Sequence, residues 1–241
     1  MSKPTIVLVH GAWADATSWQ TIIEPLQAQG FTVLAPPNLL RGVQADADYV
    51  AAFLAQHTEG PVVLVGHSYG GFVITNAGAH GGDVKALVYV DAFVPDEGEF
   101  VFQLLGGSGS AFDIPDPSQV FDFVGYPGAP EGDVDVYLKT ATVHAAFAQD
   151  LGEAERNVIA AVQRPIALQA NTTPSGAPAW KTIPSWAVVG TEDKVIPPAV
   201  QRSMAEKAGA TITEVAGSHV SMISNPQAAI DAILAAASAV E

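Results

Sequence analysis

Short runs of apolar, mostly β-branched residues alternate along the chain with longer stretches in which apolar residues recur every three or four positions. Such runs predict strands and such stretches predict helices. The predicted strands are Thr5–His10, Thr32–Ala35, Val62–Gly66, Ala86–Val90, Trp186–Val189 and Ile212–Val215. The predicted helices are Ser18–Gln29, Ala45–Gln56, Gly71–Ala79, Pro198–Ala208 and Pro226–Ala237. Because the strands are almost continuously apolar, the pattern predicts an α/β fold with a mainly parallel sheet of about six strands, flanked by helices.

The alternation stops between about residues 96 and 183. This stretch is rich in glycine and proline and carries two further helical patterns, Val134–Phe147 and Glu153–Ala161. Irregular segments on an α/β scaffold commonly shape or close a pocket. We therefore predict one domain, with its core at about 1–95 and 184–241 and an inserted cap at about 96–183. Five aromatic residues of this cap are expected either to line an apolar pocket or to form the core of the cap: Phe100, Phe102, Phe121, Phe123 and Tyr137.

Composition narrows the class of protein further. The chain has 241 residues, of which 49% are hydrophobic and 15% charged, enough to bury one large core. Its formal net charge of −15 disfavours nucleic acid and anionic membranes as partners, because both attract basic patches. It contains no cysteine, which excludes disulfides and thiolate chemistry. No segment resembles a signal peptide or the roughly 18 apolar residues of a membrane span, so we expect a cytoplasmic protein.

The most informative motif is the hexapeptide Gly66-His67-Ser68-Tyr69-Gly70-Gly71, which lies between a predicted strand and a predicted helix. In that context the pattern G-x-S-x-G predicts a nucleophile elbow, a tight turn that exposes a serine at the edge of a sheet. Glycines remove Cβ atoms where the strand and the helix crowd together. The helix N-terminus also offers free backbone N–H groups to negative charge. Ser68 is therefore the candidate nucleophile.

A serine hydroxyl needs a base to take its proton. Among the six histidines, His219 is the candidate, because it follows the last predicted strand and a turn. Of the other five, His57 and His80 are assigned to the surface and His67 to structural support. His10 is expected to line the floor of the pocket, and His144 to lie on a helix surface or in the pocket lining.

An imidazole base needs a carboxylate to orient it. Asp193 follows the strand Trp186–Val189 and is our choice over its neighbour Glu192, while Asp91, at the end of another strand, is the serious rival.

The oxyanion of a tetrahedral intermediate needs preorganised N–H donors, each worth about 3–4 kcal/mol. We predict that the backbone N–H of Tyr69, next to the nucleophile, is one donor. The second is expected from the loop after the first strand, His10-Gly11-Ala12-Trp13, where the N–H of Ala12 is best placed. The chain shows neither H-E-x-x-H nor G-x-x-x-x-G-K-[ST], so no metal or organic cofactor is expected.

Taken together, these motifs resemble the α/β-hydrolase family, over nearly the whole chain. The stretches 89–96 and 217–222 are similar, more narrowly, to the branch that holds plant methylesterases and hydroxynitrile lyases. The resemblance implies a Ser68, Asp193 and His219 triad, with Ala12 and Tyr69 forming the oxyanion hole. The lyases of that branch carry a lysine after the catalytic histidine and a threonine after the histidine of the first strand. This chain has Val220 and Gly11 there.

The resulting hypothesis is a serine hydrolase that cleaves a small or medium carboxylic ester through an acyl-enzyme intermediate. Its partner would be a small-molecule ester. Two alternatives remain open at this point. One is a C–C lyase of the hydroxynitrile lyase type, which the missing lysine disfavours. The other is a ligand-binding receptor that keeps the fold without turnover, which the complete set of candidate catalytic residues disfavours.

Overall fold

The computed structural model describes residues 3–240, and strands and helices alternate along most of that range. Its strands are β1 (Thr5–Val9), β2 (Val33–Leu34), β3 (Pro61–His67), β4 (Asp83–Val90), β5 (Phe121–Val124), β6 (Asp135–Leu138), β7 (Ile166–Ala167), β8 (Ser185–Gly190) and β9 (Thr211–Val215). Its helices are α1 (Gln20–Ala28), α2 (Val43–His57), α3 (Gly70–Ala77), α4 (Val101–Leu105), α5 (Thr140–Thr142), α6 (Glu153–Val162), α7 (Pro198–Lys207), α8 (Ser221–Ser224) and α9 (Pro226–Val240).

A six-stranded parallel sheet in the order β2-β1-β3-β4-β8-β9 forms the centre of the molecule. Strands β1, β3 and β4 are buried along most of their length because helices cover both faces of the sheet. The predicted fold class is therefore confirmed, and all six predicted strands are present with ends shifted by a few residues at most. In a sheet of this type, ligands bind beyond the carboxyl ends of the strands.

The segment between β4 and β8 departs from the prediction. We call residues 96–183 the insert. It contains a three-stranded antiparallel sheet, β5-β6-β7, that the sequence patterns did not indicate. The predicted helix Val134–Phe147 is wrong: its first part is strand β6, followed by α5 and one π-helical turn, Val143–Phe147. Hydrogen bonds to β5 and β7 and the burial of Val136 and Leu138 outweigh the local helical pattern.

The insert is bonded to the loops that follow β1 and β2. The backbone N–H of Trp13 donates to the carbonyl of Arg164 at 2.9 Å, and the Trp13 indole N–H donates to the carbonyl of Val136 at 2.9 Å. The backbone N–H of Ala167 donates to the carbonyl of Leu40 at 2.9 Å. These bonds hold the insert against the carboxyl edge of the large sheet. Within residues 3–240, no helix is long and apolar enough to cross a bilayer.

Candidate active site

Ser68 lies on a strained turn between β3 and α3. Its φ angle is +53°, in the left-handed region that non-glycine residues rarely occupy. A Cβ atom on Gly70 would lie 2.5 Å from the carbonyl oxygen of Val9, and one on Gly71 would lie 2.0 Å from that of Phe93. Only glycine fits at those two positions, so the turn brings Ser68 to the edge of the sheet in one fixed orientation.

Three side chains from separate loops form one hydrogen-bonded chain. The Nε2 atom of His219 lies 2.8 Å from the hydroxyl oxygen of Ser68, and the Nδ1 atom lies 2.7 Å from Oδ2 of Asp193. All three residues are buried. Because a carboxylate only accepts, His219 donates from Nδ1 to Asp193, and its Nε2 accepts the hydroxyl proton of Ser68. Burial lowers the pKa of His219 to about 4, so the imidazole is neutral and able to take a proton at pH 7.

Asp193 is held by donors besides His219. Its Oδ1 accepts from the backbone N–H groups of Val195 at 2.7 Å and Ile196 at 3.0 Å, and its Oδ2 accepts from the side chain of Gln201 at 2.7 Å. Burial raises the pKa of the Asp193 carboxyl, and these hydrogen bonds act in the opposite direction. The arrangement fixes the carboxylate and, through it, the tautomer of His219. The sequence gives no signal for the role of Gln201, because its position in α7 belongs to no motif.

Asp91, the rival carboxylate, is also buried but has a different set of partners. Its Oδ1 accepts from the backbone N–H of Gly190 at 2.8 Å, and its Oδ2 accepts from that of Ser221 at 2.9 Å. It therefore ties the loop that carries Asp193 to the loop that carries His219. Burial, together with the nearby charge of Asp193, raises the pKa of Asp91 to about 7. The hydrogen bond to the imidazole belongs to Asp193.

The residues that carry the two predicted oxyanion donors line the same cavity as Ser68. Ala12 and Tyr69 both line it, and within residues 3–240 neither backbone N–H has a hydrogen-bond acceptor. The loop before Ala12 passes directly over the nucleophile, since a Cβ on Gly11 would lie 2.6 Å from Cβ of Ser68. Unpaired backbone N–H groups near a serine hydroxyl are suited to bind a developing oxyanion, so Ala12 and Tyr69 stay the predicted donors.

The side chain of Tyr69 has an anchor that the sequence did not reveal. Its hydroxyl donates to Oδ2 of Asp46 at 2.8 Å, and that buried carboxylate also accepts from the backbone N–H groups of Arg41 and Gly42. Burial raises the pKa of the Asp46 carboxyl. Burial also raises the pKa of the Tyr69 phenol, well above its usual range, so the phenol keeps its proton and remains the donor. This bond anchors the side chain of Tyr69, the residue that follows the nucleophile and lines the cavity.

The insert contacts the segment that carries His219. The ring of Phe147 packs edge-on against the imidazole of His219, with centroids 5.2 Å apart. Asp150 accepts from the backbone N–H of Ser218 at 2.8 Å and from the hydroxyl of Ser224 at 2.7 Å. The π-helical turn before Asp150 thus helps to exclude water from the imidazole, a placement often found for such turns at functional sites.

The cavity beside Ser68 has a volume of about 420 Å³ and an almost entirely apolar wall. Of the five aromatic residues expected there, Phe102, Phe121 and Phe123 line it. The expectation is wrong for Phe100, which precedes α4, and for Tyr137, which alternates with the lining residue Val136 along β6.

Two histidines near the site have structural partners. His10 is not a lining residue, contrary to expectation: its Nε2 accepts from the backbone N–H of Asn38 at 2.9 Å, and its Nδ1 donates to the carbonyl of Gly11 at 2.8 Å. The Nε2 of His67 donates to the carbonyl of His219 at 2.7 Å and so supports the loop of the candidate base. Burial lowers the pKa of both side chains, which keeps them neutral.

The fold and the serine-centred site are typical of one class of protein, and comparison with known proteins identifies the family. The model of the alpha/beta hydrolase family matches residues 6–232, so the chain belongs to that family. The family resemblance predicted from the motifs is thereby confirmed. A carbendazim hydrolyzing esterase from Nocardioides sp. is 36% identical over an alignment of 111 residues that covers 41% of this chain and 46% of that protein. The matched part thus spans about half of the curated relative.

Solved structures share the fold over nearly the whole chain. Polyneuridine aldehyde esterase superimposes with a TM-score of 0.80 at 20% identity, covering 97% of this chain and 99% of that one. A methylesterase from Arabidopsis gives a TM-score of 0.77 at 18% identity, covering 98% of this chain and 99% of that one. These likenesses show that the chain has the α/β-hydrolase fold.

Proposed function

We propose that the protein is a serine hydrolase that cleaves small or medium carboxylic esters through an acyl-enzyme intermediate. The observation that carries the proposal is the hydrogen-bonded chain from Ser68 through His219 to Asp193, opening into an apolar cavity. The names of the similar proteins, two of which are called esterases and one a methylesterase, support the same reaction class.

In the acylation step, His219 accepts the hydroxyl proton through Nε2 while the oxygen of Ser68 attacks the ester carbonyl carbon. The carbonyl oxygen becomes an oxyanion, which the N–H groups of Ala12 and Tyr69 stabilise. Asp193 stabilises the imidazolium that forms. His219 then gives its proton to the departing alkoxide, so an alcohol leaves and the acyl group stays on Ser68.

In the deacylation step, the imidazole acts a second time. A water molecule in the space left by the alcohol donates a proton to Nε2 of His219 as its oxygen attacks the acyl carbon. The tetrahedral intermediate collapses, the bond to Ser68 breaks, and the proton returns from His219 to the serine oxygen. A carboxylic acid is released, and the hydrogen-bonded chain is restored without any cofactor.

We also propose that the insert is a cap on a core formed by about residues 1–95 and 184–241. Its lining residues supply most of the apolar wall of the cavity, which favours esters with an apolar acyl or alcohol part. Val220 and Gly11, where the lyases of the branch carry lysine and threonine, support hydrolysis over cyanide chemistry. The expected cytoplasmic location stays a prediction.

Hydrolysis of p-nitrophenyl acetate tests the proposal. Ser68→Ala should lower kcat on the order of 10⁴–10⁶-fold, because it removes the nucleophile. Ser185→Ala is the matched control. This serine is also buried, but it lies at the amino end of β8, away from the carboxyl edge that carries Ser68, and its hydroxyl bonds the carbonyl of Ile183. The control should keep the wild-type rate within about twofold. Equal rates for wild type and Ser68→Ala would reject the hydrolase.

A further inference from the structure

One polar side chain in the wall of the cavity has no role in the chemistry described above. Asn171 lines the cavity and is only 7% exposed. The other polar side chains of the lining are accounted for: Ser68 bonds His219, the hydroxyl of Tyr69 bonds Asp46, and the exposed Asp113 accepts from the backbone N–H of Gly107. Asn171 is therefore a buried polar group in an otherwise apolar wall.

The orientation of its amide follows from its neighbours. The Nδ2 atom lies 3.4 Å from the carbonyl oxygens of both Ala167 and Leu168. The opposite orientation would place Oδ1 against two acceptors, so the nitrogen must face them. Within residues 3–240 no group donates a hydrogen bond to Oδ1, and that oxygen is not sealed inside the protein. The amide thus offers the cavity an acceptor.

The acceptor is also held in place. Asn171 ends the 3₁₀ turn Leu168–Asn171, whose first residue lines the same cavity. The backbone N–H of Gln169 donates to Oδ1 of Asp133 at 2.9 Å, and the carbonyl of Gln169 accepts from the hydroxyl of Thr173 at 2.7 Å. A fixed acceptor loses little entropy on binding, which is the property of a group that selects ligands.

We propose that Asn171 is a specificity-determining residue that selects esters whose apolar body carries a hydroxyl or N–H donor. This inference rests on the proposed ester hydrolysis. A substrate with the donor satisfies Oδ1 when it displaces water from the cavity. A substrate without it leaves the oxygen desolvated and unpaired, which is costly in an apolar site. Sites built to bond one polar group therefore discriminate strongly against analogues that lack it.

Matched esters measure this selection. The set is methyl phenylacetate, its 2-, 3- and 4-hydroxy derivatives and the corresponding methoxy derivatives, which lack the O–H donor. A methylene group separates the ring from the ester, so the substituent scarcely alters carbonyl reactivity. In the wild type, kcat/KM for at least one hydroxy ester should exceed that for the parent and methoxy esters by about tenfold or more. Asn171→Leu, similar in size and without the acceptor, should remove that preference. If leucine at this position disturbs the fold, Asn171→Ala is the second variant and should also remove the preference.

Binding to Ser68→Ala separates this inference from the proposed function. Calorimetry with the same esters should show the same preference for a hydroxy ester, and the preference should vanish in the double variant with Asn171→Leu. Without turnover in the wild type but with this preference in binding, the hydrolase proposal fails and the selective role of Asn171 stands. Equal kcat/KM for hydroxy and parent esters, or an equal loss for both in Asn171→Leu, overturns the inference.

Discussion

The carboxyl edge of the large sheet and the insert present opposite kinds of surface to one cavity. The sheet edge supplies polar groups that are buried and hydrogen-bonded to one another, from Ser68 through His219 to Asp193. The insert supplies mainly apolar side chains, among them Phe121 and Phe123 of β5. The polar groups at the edge are hydrogen-bonded partners of one another, whereas the insert contributes the buried amide of Asn171, whose oxygen accepts no hydrogen bond within residues 3–240.

The difference shows where each property of such an enzyme is determined. Reaction chemistry needs a few atoms at fixed distances, and the rigid ends of parallel strands provide them. Selectivity needs shape and a small number of polar contacts, and a segment outside the sheet changes those without disturbing the reacting atoms. Substitutions at the sheet edge should therefore alter kcat, and substitutions in the insert should alter the choice of substrate.

After loss of the nucleophile itself, the largest effect is expected from the carboxylate of the sheet edge. Asp193→Asn should lower kcat on the order of 10⁴-fold, because an amide can hold His219 in the wrong tautomer. Asp91→Asn is the matched control, since this equally buried aspartate bonds Gly190 and Ser221 instead of the imidazole. Asp91→Asn should lower kcat by less than about 10²-fold, and it should also lower the thermal midpoint of unfolding because it weakens buried hydrogen bonds. The reverse ranking would assign the catalytic carboxylate to Asp91.

A smaller effect is expected from protonation of the base. Because burial lowers the pKa of His219 to about 4, the imidazole stays neutral down to that pH. The value of kcat/KM should therefore be level from pH 7 to about 5, half-maximal near pH 4 and about tenfold lower at pH 3. A pH–rate profile with its acidic limb near the ordinary imidazole value of about 6.5 would contradict this.

The same titration affects the free energy of unfolding with a definite sign. Between pH 4 and the unfolded value of about 6.5, the unfolded chain binds a proton at this position that the folded chain does not. The contribution of His219 to stability is complete above that window and is lost as the pH falls through it. Asp91 has the opposite sign, because its pKa is raised to about 7. The rate profile is therefore the cleaner measurement.

The smallest effect is expected from the mouth of the cavity. Phe123 lines the cavity although its side chain is 44% exposed, whereas its neighbour Val124 is 47% exposed and does not line it. Phe123→Ser should raise KM for p-nitrophenyl butyrate about three- to tenfold with kcat nearly unchanged, because apolar contact with the substrate is lost. Val124→Ser is the matched control and should leave both constants unchanged. Equal effects of the two variants would place the substrate elsewhere.

The parallel sheet could be predicted from the sequence because its strands are apolar runs separated by helices and turns. Ser68 was found through G-x-S-x-G, and His219 and Asp193 through their places after strands, which the topology converts into one edge. The geometry brings those three side chains together as the sequence analysis predicted; their catalytic roles stay a proposal.

The insert could not be predicted to the same extent. Its small sheet depends on pairing between strands that are separated in sequence. The helical pattern in Val134–Phe147 predicted a helix where the structure first has a strand, because a local pattern contains no information about that pairing. Contacts such as those of Asp46 with Tyr69 and of Asp150 with Ser218 form only when segments that are distant in sequence meet in the fold. Local patterns carry no signal for such pairs.

Covalent labelling tests the central claim most directly. Diethyl p-nitrophenyl phosphate reacts with a serine that a neighbouring base activates, and intact-protein mass spectrometry followed by peptide mapping shows where. The account predicts one diethylphosphoryl group on the wild type, located on Ser68, with none on Ser68→Ala and far slower labelling of His219→Ala. A label on another residue, or equal labelling of wild type and Ser68→Ala, would contradict it.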